Sequence, residues 1–245
     1  MYFGSVTTFP KDIHNIFDHY KDKLIKESEY EIAYLCSPYK DCFYNYPTPI
    51  KTLVENQLKE LLPKYTINAF HCTKLVNINN IISNGLKVLS YDKFKNHIIN
   101  TLTPYLSAEQ KKIAQTCIKT YNERLNEKRE NKIWFVSSLP LAYDKGCSYF
   151  FKYYGGEITR IMLQDYKHIF YPILERLGIP YIIECEIAIS QLNNLGISSL
   201  ISSIIDLFCN TYSYLHHEFY IDHSISPTQI KNIIRMDLST LQMYD

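Results

Sequence analysis

The sequence predicts an α+β fold, in which helices fill the first quarter of the chain and strands alternate with helices in the rest. Residues 10–65 carry apolar side chains at helical spacing, whereas residues 67–70 and 180–189 are short apolar runs typical of buried strands. The chain has 245 residues, enough to bury a sizeable core as one decorated domain or two small ones.

The N-terminal region, residues 1–65, is predicted to be helical and to pack on the rest of the chain. Thr48 and Pro49 form a helix start, because Thr suits the cap position and proline is tolerated in the first turn. Residues 36–47 contain three tyrosines and two prolines, which predicts a loop.

Residues 66–245 are predicted to form a second domain that begins with a strand, a helix and a glycine stop. The strand at 67–70 delivers His71 and then Thr73. The amphipathic segment that follows ends at Gly85, a residue suited to the left-handed conformation after a helix.

Residues 91–130 are charged and helical, and they are predicted to form an insertion or lid within the second domain. Ser107 and Gln110 match the capping-box pattern at the start of one of its helices. Basic and acidic residues are mixed on the polar side, which favours a solvated face over a nucleotide-binding surface.

The remaining segments predict an alternation of strands and helices. They are a strand at 133–136 that ends in Ser137 and Ser138, a helix at 139–154 stopped by Gly155 and Gly156, a strand at 157–162, a helix at 164–177, a strand at 180–189, a helix at 196–209, a strand at 217–221, a capped turn at 226–229 and a last strand at 230–238.

Composition excludes several classes of protein. With 26 basic and 25 acidic residues, the net charge of +1 argues against a nonspecific nucleic-acid binder. The seven cysteines form no CxxC pair, which favours reduced thiols in a cytosol. No signal peptide or membrane-length apolar run is evident. We therefore expect a bacterial or viral cytoplasmic protein, or one delivered into a host cytosol, with no membrane partner.

Three short groups of polar residues lie at or just after predicted strands and are candidates for one shared site: His71 with Thr73, Ser137 with Ser138, and Glu218. His71 has two interpretations, a buried ring that bonds a backbone carbonyl or a partner for a ribose hydroxyl. Glu218 is either a solvent-facing charge on an edge strand or a carboxylate that stabilises positive charge in a cleft.

Other candidates are weaker. Glu184 and Glu186 alternate with apolar neighbours, so both are expected on the solvent face of their strand, as rivals to Glu218. His216 and His217 are adjacent on a strand and point to opposite faces, so a metal site is not expected. Cys72 is a poor nucleophile candidate, because its neighbour in sequence seldom achieves the geometry of a base.

The order of these motifs resembles the ADP-ribosyltransferase superfamily, in the His-type branch that includes diphtheria toxin and the poly-ADP-ribose polymerases. Phe-His-x-Thr at 70–73, Ile-Ile-x-x-Gly-Leu at 81–86 and a glutamate at 218 followed by Ile-x-Pro-x-x-Ile carry the likeness, which covers roughly 66–236. The first two motifs are also similar to DNA-targeting toxins of toxin–antitoxin systems. The resemblance implies a split antiparallel β-sheet core.

The resemblance also implies roles for individual residues. His71 would hold the adenosine ribose of NAD, the backbone around Cys72 and Thr73 would contact nicotinamide, and Glu218 would bond the nicotinamide ribose. Ser137 or Ser138 would support the site. The aromatic ring that stacks on nicotinamide would come from a tyrosine after the second strand, and the sequence leaves three candidates open: Tyr143, Tyr149 and Tyr153.

The activity implied by the resemblance is NAD-dependent mono-ADP-ribosylation. The nicotinamide–ribose bond would break through an oxocarbenium-like state, and an oriented macromolecular acceptor, protein or nucleic acid, would attack without a metal. Such a protein would act as a toxin or effector and would have an antitoxin or inhibitor as a partner. Two alternatives stay open: an NAD glycohydrolase, in which water attacks, and a noncatalytic protein-binding module.

Overall fold

The computed structural model of the chain describes residues 1–2, 5–35, 48–121, 129–209 and 218–237, and it is an α+β structure, as predicted. The helices are α1 (Lys11–Leu35), α2 (Pro49–Leu61), α3 (Asn79–Asn84), α4 (Tyr91–Leu102), α5 (Ala108–Thr120), α6 (Leu139–Ala142), α7 (Ser148–Lys152), α8 (Gly156–Met162), α9 (Lys167–Arg176) and α10 (Asn194–Cys209). The strands are β1 (Thr66–Leu75), β2 (Ile133–Val136), β3 (Ile179–Ala188), β4 (Glu218–Ile221) and β5 (Ile230–Arg235). The predicted loop at 36–47 lies outside the described residues.

The chain divides into two compact units. One comprises residues 1–68 and 187–217, and the other comprises residues 69–186 and 218–245. Helix α10 therefore belongs with the N-terminal helices, although the sequence analysis assigned its residues to the second domain. The reason is that α10 packs its buried side chains on α1 and α2.

Within the first unit, aromatic packing and one buried carboxylate join the helices. The ring of Phe17 in α1 stacks on Phe208 in α10, with centroids 4.0 Å apart. Glu27 of α1 accepts hydrogen bonds of 3.2 and 2.7 Å from two backbone N–H groups in the first turn of α2. Helix α2 starts where predicted. Its cap is the carboxylate of Glu27, and the side chain of Thr48 makes no cap bond.

The five strands form one sheet in the order β4-β2-β1-β3-β5. The pairs β1/β2, β2/β4 and β3/β5 are antiparallel. Val136 of β2 lies opposite Phe70 of β1 on one side and opposite Glu218 of β4 on the other. Strand β2 is four residues long, yet it joins the strands that carry His71 and Glu218.

Strand β1 continues five residues beyond its predicted end at Phe70. Buried and partly exposed residues alternate along it on either side of Ala69 and Phe70, which are both buried. His71 and Thr73 lie inside the strand, whereas the sequence analysis expected them after its end.

Residues 157–162 belong to helix α8, so the predicted strand there is wrong. Gly155 and Gly156 have φ angles of 74° and 64° and turn the chain into this helix. Thr159 and Met162 are both buried, which suits positions three residues apart on a helix, whereas a strand would point them to opposite faces.

The predicted helix at 139–154 is broken into α6 and α7. Between them, the carboxylate of Asp144 accepts a hydrogen bond of 2.9 Å from the backbone N–H of Gly146 and closes a short 3-10 turn. A side chain that bonds a nearby backbone N–H competes with helix continuation, which explains the interruption.

The other predicted elements are present with small shifts in their ends. Ser107 and Gln110 form the expected capping box with bonds of 3.0 and 3.2 Å, and so do Ser226 and Gln229 in the turn before β5. Among the described residues, no helix is both long and apolar enough to cross a membrane.

Helices α4, α5, α8 and α9 share one hydrophobic core in the second unit. Its buried members include Ile98, Ile118, Phe170 and Leu174. Burial of one face of α4 and α5 therefore anchors the helical insertion. This burial also fixes the position of α4 beside the sheet residues of the same unit.

Gly85 ends helix α3 as predicted. Its φ of 73° and ψ of −169° lie in a region that side-chain-bearing residues avoid. A Cβ at this position would collide with the carbonyl oxygen of Ile225, which approaches because Ile225 N–H donates to the Leu86 carbonyl at 2.9 Å. The glycine thus permits a backbone contact between the segment after α3 and the segment after β4.

We expect Gly85→Ala to lower the free energy of unfolding by more than about 2 kcal/mol, because it adds both backbone strain and a collision with a carbonyl. Gly146→Ala is the matched control, since a Cβ there meets only Asp144 Oδ1 at 3.5 Å. Urea denaturation measures both variants. Equal stability of the two would contradict the described contact at Gly85.

Candidate functional site

The structure brings the three predicted groups of residues onto neighbouring strands. Glu218 begins β4 opposite Val136, Ser137 directly follows Val136 at the end of β2, and His71 follows Phe70 in β1. Because β2 lies between β1 and β4, residues separated by almost 150 positions in sequence come within one or two strands of each other.

His71 links β1 to β2 through its side chain. Its Nδ1 lies 2.9 Å from the carbonyl oxygen of Trp134. A carbonyl can only accept, so Nδ1 carries the proton and donates it. A regular antiparallel ladder would give that carbonyl to a backbone N–H. The bond therefore adds a side-chain link between the two strands beside the register pair Phe70–Val136.

The protonation state of His71 follows from its surroundings. Burial lowers the pKa of His71 below its usual value, and the hydrogen bond to the Trp134 carbonyl offsets only part of this effect. The ring is thus neutral at pH 7, with a lone pair on Nε2. His71 lines a cavity, so Nε2 is suited to accept a hydrogen bond from a ligand hydroxyl there. The bond to a backbone carbonyl, one of the two interpretations of His71, is confirmed for Nδ1, and the partner of Nε2 stays a prediction.

The cavity has a volume of about 710 Å³, within the size range of small-molecule and cofactor sites. Its walls come from β1, α3, α4, β2, the segment before β2 and the Gly155–Gly156 turn. All of these elements belong to the second unit. Of the predicted site residues, His71, Cys72 and Thr73 line the cavity.

Glu218 is exposed at the start of β4, which is an edge strand of the described sheet. It does not line the cavity itself. Its partner across the sheet, Val136, lies opposite Phe70 of β1, two residues before the buried cavity residue Cys72. A hydrogen bond with the thiol of Cys147, burial and the charge of Glu218 together hold the pKa of Cys72 well above its ordinary value. A thiol kept protonated in this way is a poor nucleophile.

The two predicted serines are buried beside the site and do not line the cavity. Ser137 is fully buried, and its Oγ has no hydrogen-bond partner among the described residues. Ser138 precedes α6 and makes no cap bond with its side chain. The unpaired hydroxyl of Ser137 is a free donor directly after Val136, the residue opposite Glu218.

The three candidate tyrosines lie away from the cavity. Tyr153 is buried in the core of the helical insertion, Tyr149 packs under the guanidinium of Arg160 at 4.3 Å, and Tyr143 is exposed after α6. The next tyrosine, Tyr154, lines the cavity instead. The sequence could not show which tyrosine lines the cavity, because it predicted one helix at 139–154 where the structure has the short helices α6 and α7.

Aromatic and cationic residues that the sequence analysis did not select complete the walls. Trp134 and Phe150 line the cavity, and the guanidinium of Arg129 lies 5.5 Å from the first ring and 5.7 Å from the second. The indole N–H of Trp134 is buried and has no partner among the described residues. Trp134 is the chain's single tryptophan, a signal that was available in the sequence.

The charged residues in the wall are mostly cations. The cavity wall includes the cations Lys87, Arg129 and Lys132 and one carboxylate, Glu130. Glu130 accepts a hydrogen bond of 3.2 Å from the backbone N–H of Tyr91. Arg129 is also paired with Glu157 at 2.9 Å. The wall therefore keeps a small excess of positive charge, which favours an anionic ligand.

Lys74 also lines the cavity, but its ammonium group is already satisfied. It donates to the carbonyls of Lys152 at 3.0 Å, Leu174 at 3.2 Å and Glu175, at the ends of α7 and α9. Burial lowers the pKa of Lys74 to about 8. We infer that Lys74 holds the ends of α7 and α9 against β1.

The rival carboxylates take no part in the cavity. Glu186 pairs with Lys231 of β5 at 3.3 Å, with both side chains substantially exposed, and Glu184 is partly exposed on the same strand. Among the described residues, no group of three His, Cys, Asp or Glu side chains is placed to hold a metal ion. His216 and His217 lie outside the described residues.

Comparisons with protein-family models, with curated proteins and with solved structures found no match to this chain. The functional argument therefore depends on the geometry described above and on the motifs in the sequence.

The proximity of Glu218 to Cys72 can be tested by thiol alkylation. We expect Glu218→Gln to lower the pKa of Cys72, because a negative charge that disfavours the thiolate is removed, and so to speed its alkylation at pH 8 by roughly two- to fivefold. Site-resolved mass spectrometry measures the rate, with Cys117 as the internal reference.

Glu186→Gln is the matched control, since it makes the same substitution at a carboxylate that pairs with Lys231 and does not line the cavity. Identical Cys72 rates in the two variants would show that Glu218 does not act on this thiol.

Proposed function

We propose that the protein is an NAD-dependent mono-ADP-ribosyltransferase with a split antiparallel sheet as its core. The observation that carries the proposal is the strand order β4-β2-β1, in which the strands that carry or precede Glu218, Ser137 and His71 are neighbours and His71 lines a cavity. This is the arrangement that a shared site for the three motifs requires.

The chemistry of the cavity supports a dinucleotide as its ligand. Planar aromatic side chains suit nucleobases or nicotinamide, and Trp134 and Phe150 supply one such set. The excess of cations from Lys87, Arg129 and Lys132 suits a diphosphate. The neutral Nε2 of His71 suits a ribose hydroxyl. NAD carries all three kinds of group in one molecule.

The residues of the site have separate tasks in the proposed reaction. His71 accepts a hydrogen bond from a ribose hydroxyl through Nε2 and orients the sugar. Glu218 stabilises the positive charge that develops at the anomeric carbon as the bond to nicotinamide breaks. Nicotinamide leaves with the bonding electron pair, the acceptor forms the new bond at the same carbon, and the acceptor proton passes to solvent.

Trp134 fits the role of stacking on nicotinamide, which the sequence analysis assigned to a tyrosine. Its ring packs 5.1 Å from Tyr220, two residues after Glu218, and both Trp134 and His71 line the cavity. In the proposal this ring stacks on nicotinamide. The proposal therefore replaces Tyr143, Tyr149 and Tyr153 with Trp134.

The proposed acceptor is a macromolecule, protein or nucleic acid, and the proposed role is that of a toxin or effector. Water as acceptor would make the same site an NAD glycohydrolase. The two activities share every residue described here and differ only in what attacks the anomeric carbon.

Release of nicotinamide from NAD, measured with and without cell lysate, tests the proposal. We expect release that depends on lysate and that falls about 100-fold or more in Glu218→Gln, the effect of removing one electrostatic stabiliser of a transition state. Glu186→Gln should retain full activity. Transfer of label from [adenylate-³²P]NAD to lysate then identifies the acceptor class.

Each alternative result has a distinct meaning. Equal release with and without lysate would assign a glycohydrolase. No release, together with no thermal stabilisation of the protein by millimolar NAD, would contradict NAD as the substrate.

A further inference from the structure

One cation joins two aromatic side chains in the wall of the cavity. Arg129 belongs to the insertion at 91–130 and lines the cavity together with Trp134 and Phe150. Its guanidinium carbon lies over both rings, 5.5 Å from the centroid of Trp134 and 5.7 Å from the centroid of Phe150. A cation this close to an aromatic ring is attracted to its π face. The sequence analysis expected the charges of this insertion to face solvent, whereas this one packs on the aromatic wall.

A second element, helix α8, anchors the guanidinium. Nη2 of Arg129 lies 2.9 Å from Oε2 of Glu157, and the two side chains are 31% and 34% exposed. Glu157 lies in the first turn of α8, where the helix N-terminus stabilises a negative charge. The ion pair therefore ties the position of the cation to α8, and the cation in turn contacts a ring on β2.

The orientation of the Trp134 ring depends on such side-chain contacts. The hydrogen bond from His71 holds the backbone carbonyl of Trp134 and leaves its side-chain torsions unset. The indole N–H has no hydrogen-bond partner among the described residues. The ring contacts Tyr220, 5.1 Å away, and the guanidinium of Arg129 supplies a charged contact as well. A side chain that acts in a site needs its rotamer fixed by its neighbours.

We propose that Arg129 is a positioning residue that acts through Trp134: anchored by Glu157, its guanidinium holds the indole ring in the orientation that stacks on the nicotinamide of NAD. The inference rests on the proposed function, which gives Trp134 the stacking role. It assigns a task to two residues, Arg129 and Glu157, that lie outside the three groups found in the sequence. A ring that is held in place before the ligand arrives lowers the conformational cost of binding.

A direct contact of Arg129 with a phosphate is the alternative task for this cation, and Glu157→Gln separates the two. The substitution keeps the charge of Arg129 and releases the guanidinium from its anchor. A released guanidinium would bind a phosphate at least as tightly as before, since the competing carboxylate charge is gone. A positioning residue, by contrast, loses its hold on the ring. Partly exposed ion pairs contribute little to stability, so the variant is expected to fold.

Fluorescence of the protein without any ligand gives the first test, because Trp134 is the chain's single tryptophan and the emission reports on one ring. We expect Glu157→Gln and Arg129→Met to lower the fluorescence anisotropy of Trp134 and to raise its quenching by acrylamide. Glu186→Gln, which breaks the exposed ion pair with Lys231, is the matched control and should leave both signals unchanged.

Titration calorimetry with two parts of NAD gives the second test. Nicotinamide mononucleotide carries the nicotinamide ring and one phosphate, whereas ADP-ribose carries both phosphates and no nicotinamide. We expect Glu157→Gln to weaken binding of nicotinamide mononucleotide by roughly two- to fivefold, the effect of losing one partly exposed cation–π contact, and to leave ADP-ribose binding no weaker than in the wild type.

Several results for Glu157→Gln would overturn the positioning role and leave the proposed function intact. One is wild-type anisotropy or wild-type affinity for nicotinamide mononucleotide. Tighter binding of both ligands would assign Arg129 to the phosphate that they share, and equal weakening of both would show a general distortion of the cavity. A wild-type protein that binds neither ligand would instead overturn the proposed function, and the role of Arg129 with it.

Discussion

The hydrogen bond from His71 Nδ1 to the carbonyl of Trp134 is the interaction on which the candidate site depends. It links β1 to β2 through a side chain. It also fixes the tautomer of the imidazole, so that Nε2 is an acceptor at neutral pH, and it ties the backbone of Trp134 to His71. One contact therefore sets both the chemistry of His71 and its position relative to Trp134.

Strand β2 extends the effect of that contact across the sheet. Val136 pairs with Phe70 on one side and with Glu218 on the other, so the carboxylate is positioned by the same four-residue strand that holds Trp134. Cys72 of β1 lines the cavity, and a hydrogen bond with Cys147, burial and the charge of Glu218 raise its pKa. Helix α4 forms another side of the cavity and is held in place by the hydrophobic core that it shares with α5, α8 and α9.

The sequence predicted the elements with strong local signals and missed those decided by tertiary contacts. The glycine stop at Gly85, the capping boxes and the buried strand β3 were readable because each depends on residues close in sequence. The predicted strand at 157–162 was wrong, because burial of Thr159 and Met162 on one helical face decided the outcome. Trp134, which lines the cavity, was missed because its partner His71 is more than fifty residues away in sequence, and no local pattern records that pairing.

The most direct test of the account is hydrogen exchange of Glu218→Gln, the variant expected to bind without turnover, with and without saturating NAD. The account predicts slower exchange in β1 from His71 to Leu75, in β2 and in α4, with no change in α1 or α2. Unchanged exchange in β1 and β2, or protection confined to α1 and α2, would contradict the assignment of the cavity beside His71 as the NAD site.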